Sequence, residues 1–202
     1  ELAYKDILDN IEWSFSTLHQ YEQCPYSFYE KKLDGTEINE GNFYSDIGGF
    51  VHEINAQIFD GTLSIDNAID YFIDNYENNV VYTAKQSTME NKYNQAIDYL
   101  AAFDIDKLKD YEILGVEKEV HFNIGKYKFI GYIDLLLRDK KTKKIILVDH
   151  KSADHFMKKD GVTPLKNQKE NFEVYRRQMY LYCRAVNDEY GEFPDRIVWS
   201  HF

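Results

Sequence analysis

Residues 143–154 read KKIILVDHKSAD, an apolar, largely β-branched run of the kind that a fold buries, ending in Asp149, His150 and Lys151. A strand that carries a carboxylate and an ammonium into a buried layer must find partners for them, because taking either charge out of water is costly. Period-two geometry puts Asp149 and Lys151 on one face, with the backbone of His150 between them. Whatever this chain folds into has to bring compensating groups to that face.

The preceding segments show how. Tyr127 to Leu137 reads as a strand that carries Asp134 within GYIDLLL and joins the Lys144–Lys151 strand through the charged turn RDKKTKK. Residues 113–124 alternate, with Leu114, Val116, Val120, Phe122 and Ile124 expected on one side and Glu117, Glu119, His121 and Asn123 on the other, and NIGK closes a hairpin. Upstream the periodicity is helical. WSFSTLHQYEQCPYSFY reads as a helix capped by Ser14 or Ser16 and interrupted near Cys24-Pro25. A helix starting near Ser45 or Asp46 aligns Ile47, Phe50, Val51, Ile54 and Ile58. His52 falls roughly 140° from Ile47, off the centre of that stripe. Further helices are expected over about 65–76, 87–108 and 171–187, and RIVWSHF reads as a last strand. Helices, then a β-meander, then helix and strand argue for an α/β or α+β sandwich around a small mixed sheet.

The chain has 202 residues, 44% of them hydrophobic, which suits one domain, 1–202, with a helical insertion over about 60–110. No apolar run of eighteen residues and no secretion signal is visible, so the expected setting is cytoplasmic, without a membrane. Cys24 and Cys183 are too few for a disulfide framework and lack zinc-type spacing. The net charge of −11 argues against broad phosphate binding, but it is uneven: residues 1–110 hold 7 Lys/Arg against 21 Asp/Glu, and residues 111–202 hold 17 against 14. Polyanion contact is expected in the second half.

Neighbouring antiparallel strands lie about 4.8 Å apart, so Asp134 and Asp149 converge if the register sets them opposite. Two such carboxylates repel unless a cation separates them, and Mg²⁺ or Mn²⁺ suits oxygen ligands. The arrangement Asp134…Asp149-His150-Lys151 resembles the core of the PD-(D/E)XK nuclease superfamily. SFSTLHQYEQCPYSFY resembles the N-terminal signature of its RecB-like members (the phage and CRISPR-associated exonuclease type), Gly48-Gly49-Phe50-Val51-His52 resembles their glycine-to-histidine motif, and Gln178 to Tyr182 matches QxxxY. The likeness runs from Ser14 to Tyr182.

The resemblance implies a restriction-endonuclease-like α/β core, a small mixed sheet flanked by helices, with the insertion lying between the histidine motif and the first core strand. It implies that His52, Asp134, Asp149 and the main-chain carbonyl of His150 hold Mg²⁺ or Mn²⁺, that Lys151 is the catalytic lysine, and that Glu117 contacts a second metal or a metal water. Gln178 and Tyr182 would face the site and the DNA backbone. On the same helix Arg176, Arg177 and Arg184 are candidates to steer phosphate, a solvated basic face being the equal alternative. The activity implied is hydrolysis of DNA phosphodiesters by a metal-activated water, in an exonuclease of single strands or DNA ends. A recombination or repair protein partner and an oligomer fit the same resemblance. A structure-selective endonuclease and an inactive DNA-binding or scaffold module are the alternatives; the second has no need of charges that are costly to bury. Some relatives hold an iron–sulfur cluster on four cysteines, which two cysteines cannot supply, so none is expected from these residues. The bland reading of Asp149 and Lys151 is a buried ion pair, that of Glu117 a solvated strand face, and that of the lysines at 140–144 a soluble turn. His121 and His155 receive no role.

Overall fold

The computed structural model describes residues 4–35, 41–152, 156–158, 160–161 and 163–202; His155 lies outside them. Helix α1 (Lys5–Asn10) and the short strand β1 (Glu12–Trp13), neither expected from the sequence, lead into α2 (Phe15–Gln23). Of the two candidate caps Ser14 is the one used: its Oγ accepts the Thr17 N–H at 3.1 Å. Cys24 is extended, Pro25 opens the four-residue α3 (Pro25–Phe28), and a π-helical turn (Tyr29–Asp34) follows.

Helix α4 (Phe43–Asp60) begins before the expected start at Ser45 or Asp46, because Asn42 caps it, accepting the N–H groups of Tyr44 and Ser45 at 3.0 and 3.1 Å. Helices α5 (Ala68–Asn79) and α6 (Gln86–Ala101) follow. Helix α6 stops short of the expected Leu108, since the Asp104 side chain starts a separate 3₁₀ turn, Ile105–Leu108. Then come β2 (Tyr111–Ile124), β3 (Tyr127–Asp139), β4 (Ile145–Lys151), α7 (Lys169–Tyr190) and β5 (Arg196–His201). Among the described residues no helix is long and apolar enough to cross a membrane.

The strands make one mixed sheet with β3 and β4 at its centre: β2/β3 and β3/β4 are antiparallel, β1/β3 and β4/β5 parallel. The β3/β4 ladder runs from Arg138↔Ile145 to Leu135↔Val148 and stops there. Beyond Val148, β4 stays paired only with β5, through Asp149↔Trp199, His150↔Ser200 and Lys151↔His201. One more residue in the same register would set Asp134 opposite Asp149, so the strands part where the two carboxylates would otherwise meet.

Both faces of the sheet are covered. Helix α7 packs Met179, Tyr182, Ala185 and Val186 on Val120, Phe122, Ile133, Leu136, Ile145 and Leu147. On the other face Leu135, Leu137, Ile146 and Val148 meet Phe59 and Leu108. Helices α4, α5 and α6 share their own cluster around Val51, Ile54, Ala68 and Phe72.

The expected alternation in β2 fails at two places. Leu114 packs on the α7 side and Val116 on the opposite side, and Ile124 is exposed. The ladder slips between Ile113 and Gly115, and Glu117 takes a left-handed φ of +43°, so the strand turns over twice instead of keeping one face. This kink carries the Glu117 side chain toward α4.

Gly131 lets α7 lie against β3. A Cβ there would sit 2.4 Å from Cε1 of Tyr182. Gly131→Ala is therefore expected to cost about 1–3 kcal/mol by overpacking, read as a lower urea midpoint at unchanged m-value.

Candidate active site

Three elements bring the site together. Helix α4 comes close to the end of β4 because Gly48 has no side chain: a Cβ would already lie 3.2 Å from the Ser152 Oγ. His52, one turn further on, then reaches the gap that β4 leaves beside β3. Its Nδ1 lies 3.2 Å from Oε1 of Glu117 and 3.7 Å from Oδ2 of Asp134, and its Nε2 lies 3.2 Å from the His150 carbonyl. Asp134 Oδ2 also accepts the His150 N–H at 2.6 Å, replacing the ladder bond lost where the strands part.

Burial raises the Asp134 carboxyl to about 6; His52 opposes this, while the charges of Asp149 and Glu117 add to it. Burial likewise pushes Asp149 up, against the pull of Lys151. For His52, burial disfavours the charged ring, but the Glu117 hydrogen bond and the charges of Asp134 and Glu117 outweigh it and hold its pKa above the ordinary value. A proton on His52 thus does what a cation would do, neutralising crowded carboxylates.

Lys151 is confined on three sides. Its Nζ lies 2.9 Å from Oδ1 of Asp149, to which it donates, and 2.8 Å from Oδ2. It also lies 3.3 Å from Oε1 of Gln178 and 4.9 Å above the centre of the Tyr175 ring. Gln178 is fixed in turn by Tyr182, whose hydroxyl accepts its Nε2–H at 3.2 Å. The QxxxY pair therefore spends its polar atoms on positioning the lysine.

The expected metal ligands are only partly gathered. Among the described residues, His52, Glu117 and Asp134 offer ligand atoms that all lie within 4.8 Å of one another. Asp149 is outside that trio, turned toward Lys151, and the His150 carbonyl faces His52. Glu117, which sequence alone also allows as a solvated strand residue, is inside it. The residues still fit a hard divalent cation. The donors are an imidazole and carboxylates, with the buried Asp149 carboxylate, ion-paired to Lys151, beside them.

Gln178 and Tyr182 line the cavity that contains these groups, together with Tyr44, Glu53 and Tyr132. Arg177, expected to steer phosphate, does not line it. Its guanidinium lies 2.5 Å from Glu22 and ties α7 to α2, because the first helices fold back over that side of α7. Arg176 and Arg184 pair with Glu173 and Asp188 on their own helix. Within the 140–144 turn, Lys140 donates to the Lys109 carbonyl and Lys144 pairs with Asp195. Sequence reasoning missed Tyr175, although its place three residues before Gln178 sets it on the same helix face. It also missed the tyrosines at the rim.

The His150 ring points to the opposite side of the sheet, stacked on Phe59 with Tyr99 nearby. Burial lowers its pKa to about 3. The unfolded chain takes up that proton below about pH 6.5 and the folded chain does not, so through this group stability falls as the pH drops from 6.5 toward 3. Between pH 7 and 5 the wild type is expected to lose about 2 kcal/mol more than His150→Leu does, measured by urea unfolding in EDTA. Equal losses would contradict a neutral buried ring.

The model of the PD-(D/E)XK nuclease superfamily matches residues 12–200 of the chain. Among solved structures, a Eubacterium rectale protein provisionally named an exonuclease superposes with a TM-score of 0.52 at 17% identity, covering 98% of this chain and 71% of that one. No curated protein matches.

Proposed function

Since the chain belongs to the PD-(D/E)XK nuclease superfamily, we propose that it is a divalent-metal-dependent deoxyribonuclease of RecB-like type, an exonuclease working on single strands or DNA ends. The observation that carries this reading is the presence, in one cavity, of the His52–Glu117–Asp134 group beside Lys151 held on Asp149.

His52, Glu117 and Asp134 would hold Mg²⁺ or Mn²⁺, with Asp149 supplying a carboxylate oxygen and His150 its carbonyl. Such an ion, when bound, activates water for attack on phosphorus and offsets charge on the phosphate. The chain's own groups do the rest. His52 gives up its proton so that its ring can serve as a donor. Asp149, Gln178 and Tyr175 aim the Lys151 ammonium into the cavity, where it can bind a phosphate oxygen or orient the attacking water. The four acidic side chains lining the cavity, Glu53, Glu117, Asp134 and Asp149, repel phosphate until a cation is present.

Linear and circular single-stranded DNA of one sequence, incubated with Mg²⁺ or Mn²⁺, test the mode of action. Loss of the linear form with the circle intact is expected; nicking of the circle would select the structure-selective endonuclease instead.

A further inference from the structure

We propose that Tyr44 and Tyr132 form a stacking platform for unpaired nucleobases at the mouth of the active site, so that it takes single-stranded rather than paired nucleic acid. This rests on the nuclease reading above and adds the groups that would grip the strand.

The two tyrosines enter the same cavity of about 680 Å³ from different elements, Tyr44 from the first turn of α4 and Tyr132 from β3, two residues before Asp134. Large aromatic side chains normally gain by burial, yet these stay 52% and 50% exposed. Tyr132 is also held in place. Its hydroxyl donates to Oε2 of Glu119 at 2.9 Å; Glu119 Oε1 lies 2.9 Å from Nε2 of His121, and His121 Nδ1 lies 2.7 Å from Glu12. This chain across β3, β2 and β1 fixes the polar end of the residue and leaves the ring as its exposed part. The helix cap fixes the Tyr44 backbone, its N–H bound to the Asn42 side chain at 3.0 Å, and the Tyr44 ring packs edge-to-face with Phe43 at 5.5 Å.

The charges around them favour bases over phosphates as the group gripped. Among the described residues lining the cavity, Lys151 is the sole Lys or Arg, against Glu53, Glu117, Asp134 and Asp149. A surface that binds through phosphate needs several cations, whereas base–aromatic stacking needs none and works with every base. In a duplex the base faces are already stacked on one another, so a stacking platform prefers unpaired strands.

The test is steady-state cleavage of a labelled thymidine oligonucleotide by the full chain with Mg²⁺ or Mn²⁺, using Tyr44→Ala, Tyr132→Ala and the two Phe variants. Each Ala variant is expected to raise KM about 5- to 100-fold, with kcat nearly unchanged. Tyr44→Phe and Tyr132→Phe keep a ring to stack on and should lie closer to wild type than the Ala variants do, with Tyr132→Phe the weaker of the two because it loses the Glu119 bond, and a strand with abasic sites should erase the difference between wild type and Ala. Fluorescence anisotropy with Ca²⁺ replacing Mg²⁺, a hard cation that takes the same oxygen ligands, reads the same contrast where turnover is arrested, and thermal melts confirm that the variants fold. Ala variants with wild-type KM, beside a wild type that cleaves, would overturn the platform alone. A wild type that neither binds nor cleaves the strand would overturn the nuclease reading and the platform with it.

Discussion

Asp134→Asn is expected to make the metal-free protein more stable at neutral pH and to reduce cleavage by about 10³-fold or more. Both effects have one cause. Asp134 is 11% exposed, faces the charges of Asp149 and Glu117, and titrates near 6. An unfolded aspartate titrates near 3.9. The folded chain therefore holds this proton more tightly than the unfolded chain, and the cost of ionising Asp134 is fully present above pH 6 and disappears as the pH falls below 3.9. At pH 7 that cost is about 1–3 kcal/mol, with the opposing pull of His52 already in it. Asparagine removes the charge and keeps an oxygen to accept the His150 N–H. Urea unfolding in EDTA should show the gain at pH 7 and a smaller gain at pH 5. Added Mn²⁺ should raise the melting temperature of the wild type and leave the variant unmoved, because a ligand that binds only the folded state stabilises it. A variant less stable than wild type at pH 7 would show that Asp134 is a structural cap and not a strained ligand.

Lys151→Met is expected to go the other way, losing both stability and activity. Asp149 is 4% exposed, and Lys151 at 2.8 Å is its only cationic contact among the described residues. Removing one partner of a buried pair leaves the other charge uncompensated, at a cost of about 3–5 kcal/mol. Adding Asp149→Asn removes the stranded charge and should restore most of the stability, but not cleavage, which should stay down on the order of 10²–10³-fold. A chemical-denaturation cycle over the two single variants and the double variant measures the coupling. If Lys151→Met proves as stable as wild type, the pair is solvated and the three-sided confinement of the lysine is not rigid.

The contrast between these variants shows how much of the site was legible in the sequence. Strand period alone placed Asp149 and Lys151 on one face and the His150 ring on the other. The glycines before His52 were legible only through the motif they resemble, the room Gly48 leaves beside Ser152 being visible in the structure alone, and the apolar neighbours of Asp134 marked a strand that a carboxylate enters only for a reason. Three things were not legible. The parting of β3 and β4 at Val148 depends on β5 pairing with β4, a contact between segments some fifty residues apart. The left-handed turn at Glu117 has no signature in the tripeptide Glu117-Lys118-Glu119, where glycine or asparagine would have announced it, and this turn brings Glu117 to His52. The pairing of Arg177 with Glu22 needed the tertiary position of α2.

If crowded carboxylates and a confined lysine make a cation-dependent phosphodiesterase, one assay will show it. End-labelled linear single-stranded DNA is incubated with wild type, Asp134→Asn and Lys151→Met, each in Mg²⁺, Mn²⁺ or EDTA, and product is followed over time. Cleavage is expected from wild type in the metal-containing reactions alone, with product forming at least about 100-fold more slowly for either variant. Cleavage in EDTA, or cleavage that survives both substitutions undiminished, would contradict that expectation.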